Sequence, residues 1–129
     1  LNKIPKYEEG WKPVLDVMRK GKFFVSTGEV LFPSFSINGK TAGETLKLEN
    51  SVKTNMKIKL NWTYPMNFAE IITGDGTRVF RERINLTETQ AFGQKEFTWP
   101  VDLTHKKWVR VEAWDVADNG AFTQMIWLE

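Results

Sequence analysis

Val52-Lys53-Thr54-Asn55-Met56-Lys57-Ile58-Lys59-Leu60-Asn61-Trp62 sets the fold class of this chain. Val52, Thr54, Met56, Ile58, Leu60 and Trp62 fall on one side of a two-residue period, and Lys53, Asn55, Lys57, Lys59 and Asn61 on the other. Successive side chains of an extended backbone point to opposite faces, so this run is a strand with one face in a core and one in water. The lysine face at 53, 57 and 59 reads as solvated strand surface in preference to an anion site.

The flanking sequence repeats the signal. Ala69-Glu70-Ile71-Ile72-Thr73 and Thr77-Arg78-Val79-Phe80-Arg81 enclose Gly74-Asp75-Gly76, a compact hairpin signature. Further strands are predicted over 94–99, 107–115 and 121–128, separated by turn residues such as Asp102, Asp118, Asn119 and Gly120. Upstream, Phe23, Val25 and Thr27 alternate with Phe24 and Ser26, and Phe35 and Ile37 alternate with Ser34, Ser36 and Asn38 ahead of an Asn38-Gly39 turn. Closely spaced strands with polar turns predict a mainly β fold, an antiparallel, immunoglobulin-like β-sandwich.

One segment breaks the period of two. Trp11, Val14, Leu15 and Met18 recur at spacings of three and four, Glu8 and Glu9 precede them, and Arg19, Lys20 and Gly21 close the pattern. This is a short amphipathic helix over 9–20 with charges matched to its dipole and a glycine cap. Pro13 is tolerated because it falls in the first turn. Residues 1–8 are polar and read as a linker, and Leu1 in place of an initiator methionine implies an excised or processed piece. The division is thus a linker and helix over 1–21 and the sandwich over 22–129.

With 129 residues the chain can bury a core of its own. A formal charge of +2, from 18 basic and 16 acidic residues, gives none of the broad basic field that nucleic acid demands. No apolar run reaches the length of a membrane span. The absence of cysteine excludes disulfides and thiolate metal sites and leaves the compartment open, periplasmic, secreted or cytoplasmic.

Chemistry is sparse. Metal hydrolysis needs several His or carboxylate ligands converging on a point, and the single histidine, His105, stands between Thr104 and two lysines in a predicted turn. It reads as an exposed loop residue, the other reading being a general base oriented by Asp102. Asp115, Asp118 and Asn119 before Gly120 read as a hairpin turn, with an oxygen-ligated Ca²⁺ site as the alternative. Asn61-Trp62-Thr63 and Asn85-Leu86-Thr87 match the glycosylation sequon and are taken as chance matches.

The stretch 107–115 has two unlike faces. Val109, Val111 and Ala113 suit a sandwich interior, and Trp108, Arg110, Glu112 and Trp114 line the opposite side. Two Trp framing Arg and Glu fit a partner-docking patch or a sugar-stacking platform, unless strand twist, a bulge or a loop covers them. Together with Trp11, these four residues form the candidate interface or ligand face. No catalytic, cofactor-binding or metal-ligating residue is assigned.

The stretch 11–43 adds a resemblance. Its Trp-led helix closing on Gly21, followed by Lys22-Phe23-Phe24-Val25-Ser26-Thr27-Gly28 and Asn38-Gly39-Lys40-Thr41-Ala42-Gly43, resembles the segment after the catalytic barrel in bacterial metallohydrolases of the PHP superfamily, the CehA/McbA-like group. Phe68-Ala69-Glu70-Ile71-Ile72-Thr73-Gly74-Asp75-Gly76, Lys107-Trp108-Val109-Arg110-Val111-Glu112-Ala113 and Ala121-Phe122-Thr123 continue the likeness over most of the chain. Gln124-Met125-Ile126 departs from it, since the family has Asn-Pro-Ile there. The resemblance implies a non-catalytic, C-terminal accessory domain whose absent upstream barrel binds divalent metals and hydrolyses phosphoester, carbamate or related bonds. The implied partner is that catalytic domain, joined through the helix. An independent carbohydrate- or protein-binding module is the alternative.

Overall fold

The computed structural model describes residues 3–49 and 52–129. Leu1 and Asn2, the start of the expected linker, lie outside the described residues. A 3-10 turn at Tyr7–Glu9 leads to the helix α1, Lys12–Arg19. Ten strands follow: β1 (Phe24–Ser26), β2 (Val30–Ile37), β3 (Thr45–Leu46), β4 (Lys53–Trp62), β5 (Met66–Gly74), β6 (Val79–Asn85), β7 (Gly93–Asp102), β8 (Trp108–Asp115), β9 (Gly120–Thr123) and β10 (Ile126–Leu128). They make two sheets. In the seven-stranded sheet β8 is central, with β5 and then β6 on one side, and with β9 and β10 sharing the other side and leading on to β1 and β3. The three-stranded sheet runs β2-β4-β7. The architecture is the mainly β sandwich, preceded by one short helix, that the periodicity predicts.

β4 shows why. Met56, Ile58, Leu60 and Trp62 are buried in one cluster with Ala69, Ile71, Val109, Val111 and Ile126 of the facing sheet. Each large side chain so buried contributes about 1.5–3 kcal/mol. Slipping the strand by one residue would expose all four and bury lysines, so the pattern also fixes the register.

The helix starts at Lys12 and not at residue 9, so Glu8 and Glu9 fall in the preceding 3-10 turn and its own first turn carries no acidic residue. Three details of the strands differ from the sequence expectation as well. β2 begins at Val30 and is irregular between Leu31 and Ser34, around Pro33, so Val30, Phe32, Phe35 and Ile37 are all buried although Phe32 and Phe35 break the two-residue period. The run 121–128 is two strands. β9 pairs with the far half of β8 and β10 with its beginning, one residue out of register. The intervening backbone turns outward instead: Gln124 N donates to Phe23 O, and Met125 O accepts from Gly43 N. Finally, β3 and β10 run parallel, so the sandwich is not wholly antiparallel.

The helix end explains two glycines. Lys22 N donates to Val17 O and Gly21 N to Met18 O, the paired bonds of a glycine-terminated helix, with Gly21 at φ 66°. Gly43, at φ 84°, lies so close that a Cβ there would collide with Lys20 O. These two glycines lock the end of α1 against the sandwich.

Strand direction sorts the loops. Those at 38–44, 75–78 and 103–107 share one end of the sandwich with the C-terminus of α1, and those at 27–29, 63–65, 86–92 and 116–119 share the other. The free edges β6 and β7 neighbour each other across the gap between sheets. Each turns a charged residue inward, Glu82 opposite Ile71 and Lys95 opposite Leu60, which discourages pairing with another chain.

Candidate functional site

The candidate face of β8 is built by register. Trp108, Arg110, Glu112 and Trp114 point away from the core, with Gly74, Ile72, Glu70 and Phe68 of β5 beside them in that order. Each Trp faces a glycine across the ladder, Trp108 facing Gly74 and Trp114 facing Gly120. A Cβ on either glycine would fall inside the indole, so the rings lie flat on bare backbone. Both Trp are therefore half-buried and stand at opposite ends of β8, about 20 Å apart at strand rise.

Between them runs an ion-pair ladder. Arg110 Nη1 donates to Glu112 Oε1 at 2.8 Å, and Trp114 Nε1 donates to Glu112 Oε2 at 3.4 Å. Glu70 and Glu112 are direct cross-strand neighbours, a like-charge pairing that costs free energy when uncompensated. Arg81 from β6 lies 3.2 Å from Glu70 and 3.8 Å from Glu112, and Arg83 Nη2 donates to Glu70 Oε1 at 2.9 Å. Burial works to raise the Glu70 pKa, but the hydrogen bonds from Arg83 and Arg81 outweigh it and hold the carboxyl below its ordinary 4.5. Arg83 stacks 3.9 Å over the Phe68 ring. Ile72 is fully buried on this outer face, outside the main core, with Arg81 and Arg110 as its cross-strand partners. Their long aliphatic stems are suited to covering it.

Trp11 is not part of this constellation. It is 77% exposed on α1, beside Leu15 at 44% and Met18 at 53%, and α1 has no buried residue. Trp11 instead joins Ile4, Pro5, Tyr7 and Val14 around a concavity of about 300 Å³. Sequence reasoning missed Trp127, the cross-strand neighbour of Trp108, and the β5 and β6 members of the ladder. The alternation of Ile126, Trp127 and Leu128 carried a signal for the first. Only the strand register reveals the rest.

The other candidates resolve locally. His105 is exposed at φ 60°. The Thr104 hydroxyl and amide both donate to Asp102 Oδ1 and hold that carboxyl below 3.8, so its hydrogen bonds go to Thr104. Asp115 is buried, accepting from the amides of Ala117 and Asn119 and from Asn119 Nδ2, which makes it the anchor of the turn. Among the described residues no three His, Cys, Asp or Glu side chains come together as a metal site. Of the sequon residues, Asn61 sits next to the end of β4, in register with both neighbouring strands and with its buried Oδ1 unpartnered among the described residues, and Asn85 Oδ1 accepts from the Thr87 amide and hydroxyl. No helix among the described residues is long and apolar enough to cross a membrane. No family model matches the chain, and searches of curated proteins and of solved structures return no match.

Proposed function

We propose that this chain is a non-catalytic accessory domain that docks on the metal-dependent hydrolase barrel implied by its resemblance to the PHP superfamily, with α1 as the joint. The observation that supports it is α1 itself. The helix carries an apolar stripe of Trp11, Val14, Leu15 and Met18, yet none of these residues is buried on the sandwich. A helix of this length is marginal in water without tertiary packing, so a stripe of this composition calls for a surface to cover it. Gly21 and Gly43 fix the helix end against the sandwich, which would transmit a defined orientation to whatever sits on the stripe. In this reading the implied divalent metals belong to the barrel.

The absence of cysteine makes the test direct. Leu15→Cys provides a single thiol in this chain, and mass spectrometry of the peptide that carries it reads its labelling both in the chain alone and in the parent protein. The expected result is rapid labelling in the isolated chain and at least tenfold protection in the parent. Equal reactivity in both would overturn the docking reading, and hydrolysis of a phosphoester or carbamate by this chain alone would overturn its non-catalytic part.

A further inference from the structure

At the end of the sandwich remote from the end of α1, Phe92 is 84% exposed and its backbone lies at φ 56°. A bulky aromatic side chain rarely occupies the left-handed region, and one held there in water gains nothing from burial. Its amide is fixed by a 2.7 Å bond to Thr63 O, so the position is enforced by the neighbouring loop. The other loops are tied in the same way. Thr27 N donates to Gly120 O, Thr63 N to Glu29 O, Val116 N to Pro65 O, and Met66 N to Thr89 Oγ1. The apex is therefore pre-organised, which lowers the ordering cost of binding.

Beside Phe92 opens a cavity of about 770 Å³, within the range of small-molecule sites. Trp62 and Phe97 give it an aromatic floor, and the Trp62 indole is fixed by donating to Gln90 O at 2.6 Å. The polar lining includes Glu88, Gln90, Gln94 and Lys95. Among the described residues the Glu88, Gln90 and Gln94 side chains make no hydrogen bond, so their donors and acceptors remain for a ligand. One carboxylate offsets one ammonium, and the lining contains no arginine, which disfavours a phosphate or other anion.

We propose that this cavity binds a neutral saccharide, with one sugar ring laid against Phe92 and its hydroxyls bonded to the glutamine amides and Glu88. An exposed aromatic ring offers an apolar platform to the C–H face of a pyranose, and side-chain amides and carboxylates match vicinal hydroxyls. The site is distinct from the Trp108 and Trp114 face. It is also independent of the docking reading, because α1 ends at the opposite end of the fold.

The test is an amide and indole NMR titration of the full chain. The probes are short neutral oligosaccharides of glucose, xylose, mannose and galactose, with oligogalacturonate and inorganic phosphate as charged controls. At least one neutral probe is expected to give saturable shifts at Phe92, Gly93, Gln94 and the Trp62 indole N–H. Phe92→Gly suits the backbone angle, so it is expected to melt no lower than the parent chain while weakening binding at least tenfold. Failure of every neutral probe to saturate, shifts confined to the Trp108 and Trp114 face, preference for the charged controls, or unchanged affinity in Phe92→Gly would each overturn the proposal.

Discussion

The two sheets share one core but present different outer faces. On the three-stranded sheet Lys57 stands between Ser36 and Thr98, and Lys59 between Ser34 and Glu96, each a solvated side chain beside small or polar neighbours. On the seven-stranded sheet the outer face buries Ile72 and Glu70, seats two indoles on glycines and ties three arginines to two glutamates. The same alternation of inward and outward residues therefore yields one surface of half-buried to solvated polar side chains and another that is packed in its own right. The difference arises from what stands opposite: a lysine beside serine and threonine has nothing to bury against, whereas a Trp beside Gly has a flat apolar floor.

The largest expected effect comes from removing that floor. Gly74→Ala places a methyl group inside the Trp108 indole, and displacing the ring should cost about 2–3 kcal/mol, in the range of overpacked sites. Urea unfolding measures the loss, and the Trp108 indole N–H resonance should move toward its solvent-exposed position. In a cycle with Trp108→Ala the two losses should not add, because the clash requires both partners. Additive losses would mean that the ring does not rest on the glycine.

Next comes Glu70→Gln, which keeps the shape and removes the charge. Loss of charged hydrogen bonds to two arginines should cost about 1–3 kcal/mol at neutral pH, toward the low end because Arg81 and Arg83 are half-exposed and screened by solvent. The pH dependence has a definite sign. The folded carboxyl titrates below its ordinary 4.5, so its contribution is complete above that value and disappears as pH falls through the lower folded pKa. The stability gap between parent chain and variant should therefore close in acid, as read from urea midpoints across an acid series. A gap that persists unchanged would assign the loss to packing.

How legible these faces were in the sequence follows from the same contrast. Residues 52–62 announced a strand because one face is dry and the other wet, a property carried entirely by that segment. The unlike faces of 107–115 were legible for the same reason. The ladder was not, because Glu70, Arg81 and Arg83 meet Glu112 only once β5 and β6 are in register beside β8. A Trp seated on a Gly is likewise a cross-strand fact, invisible along one strand. The break in 121–128 depends on a register shift against β8, and the apex cavity on the 86–92 loop meeting Trp62 of β4 and Phe97 of β7. Phe92, an aromatic residue in a polar interval, is not singled out by periodicity or motif.

The smallest effect is expected on the plain face, and it makes the comparison breakable. Lys57→Ala removes a charge from the middle of β4, yet Lys57 is exposed with Ser36 and Thr98 as neighbours, so stability should change by no more than about 0.5 kcal/mol. Lys59 is a poorer probe because the oppositely charged Glu96 is its direct cross-strand neighbour. Salt separates the two faces further. Raising ionic strength should shrink the penalty of Glu70→Gln by screening its half-exposed arginines, and should leave Lys57→Ala unchanged. A loss above about 1 kcal/mol in Lys57→Ala would show that the lysine face is also organised by contacts, and packing against the opposed glycines would then no longer explain why only one face is ordered.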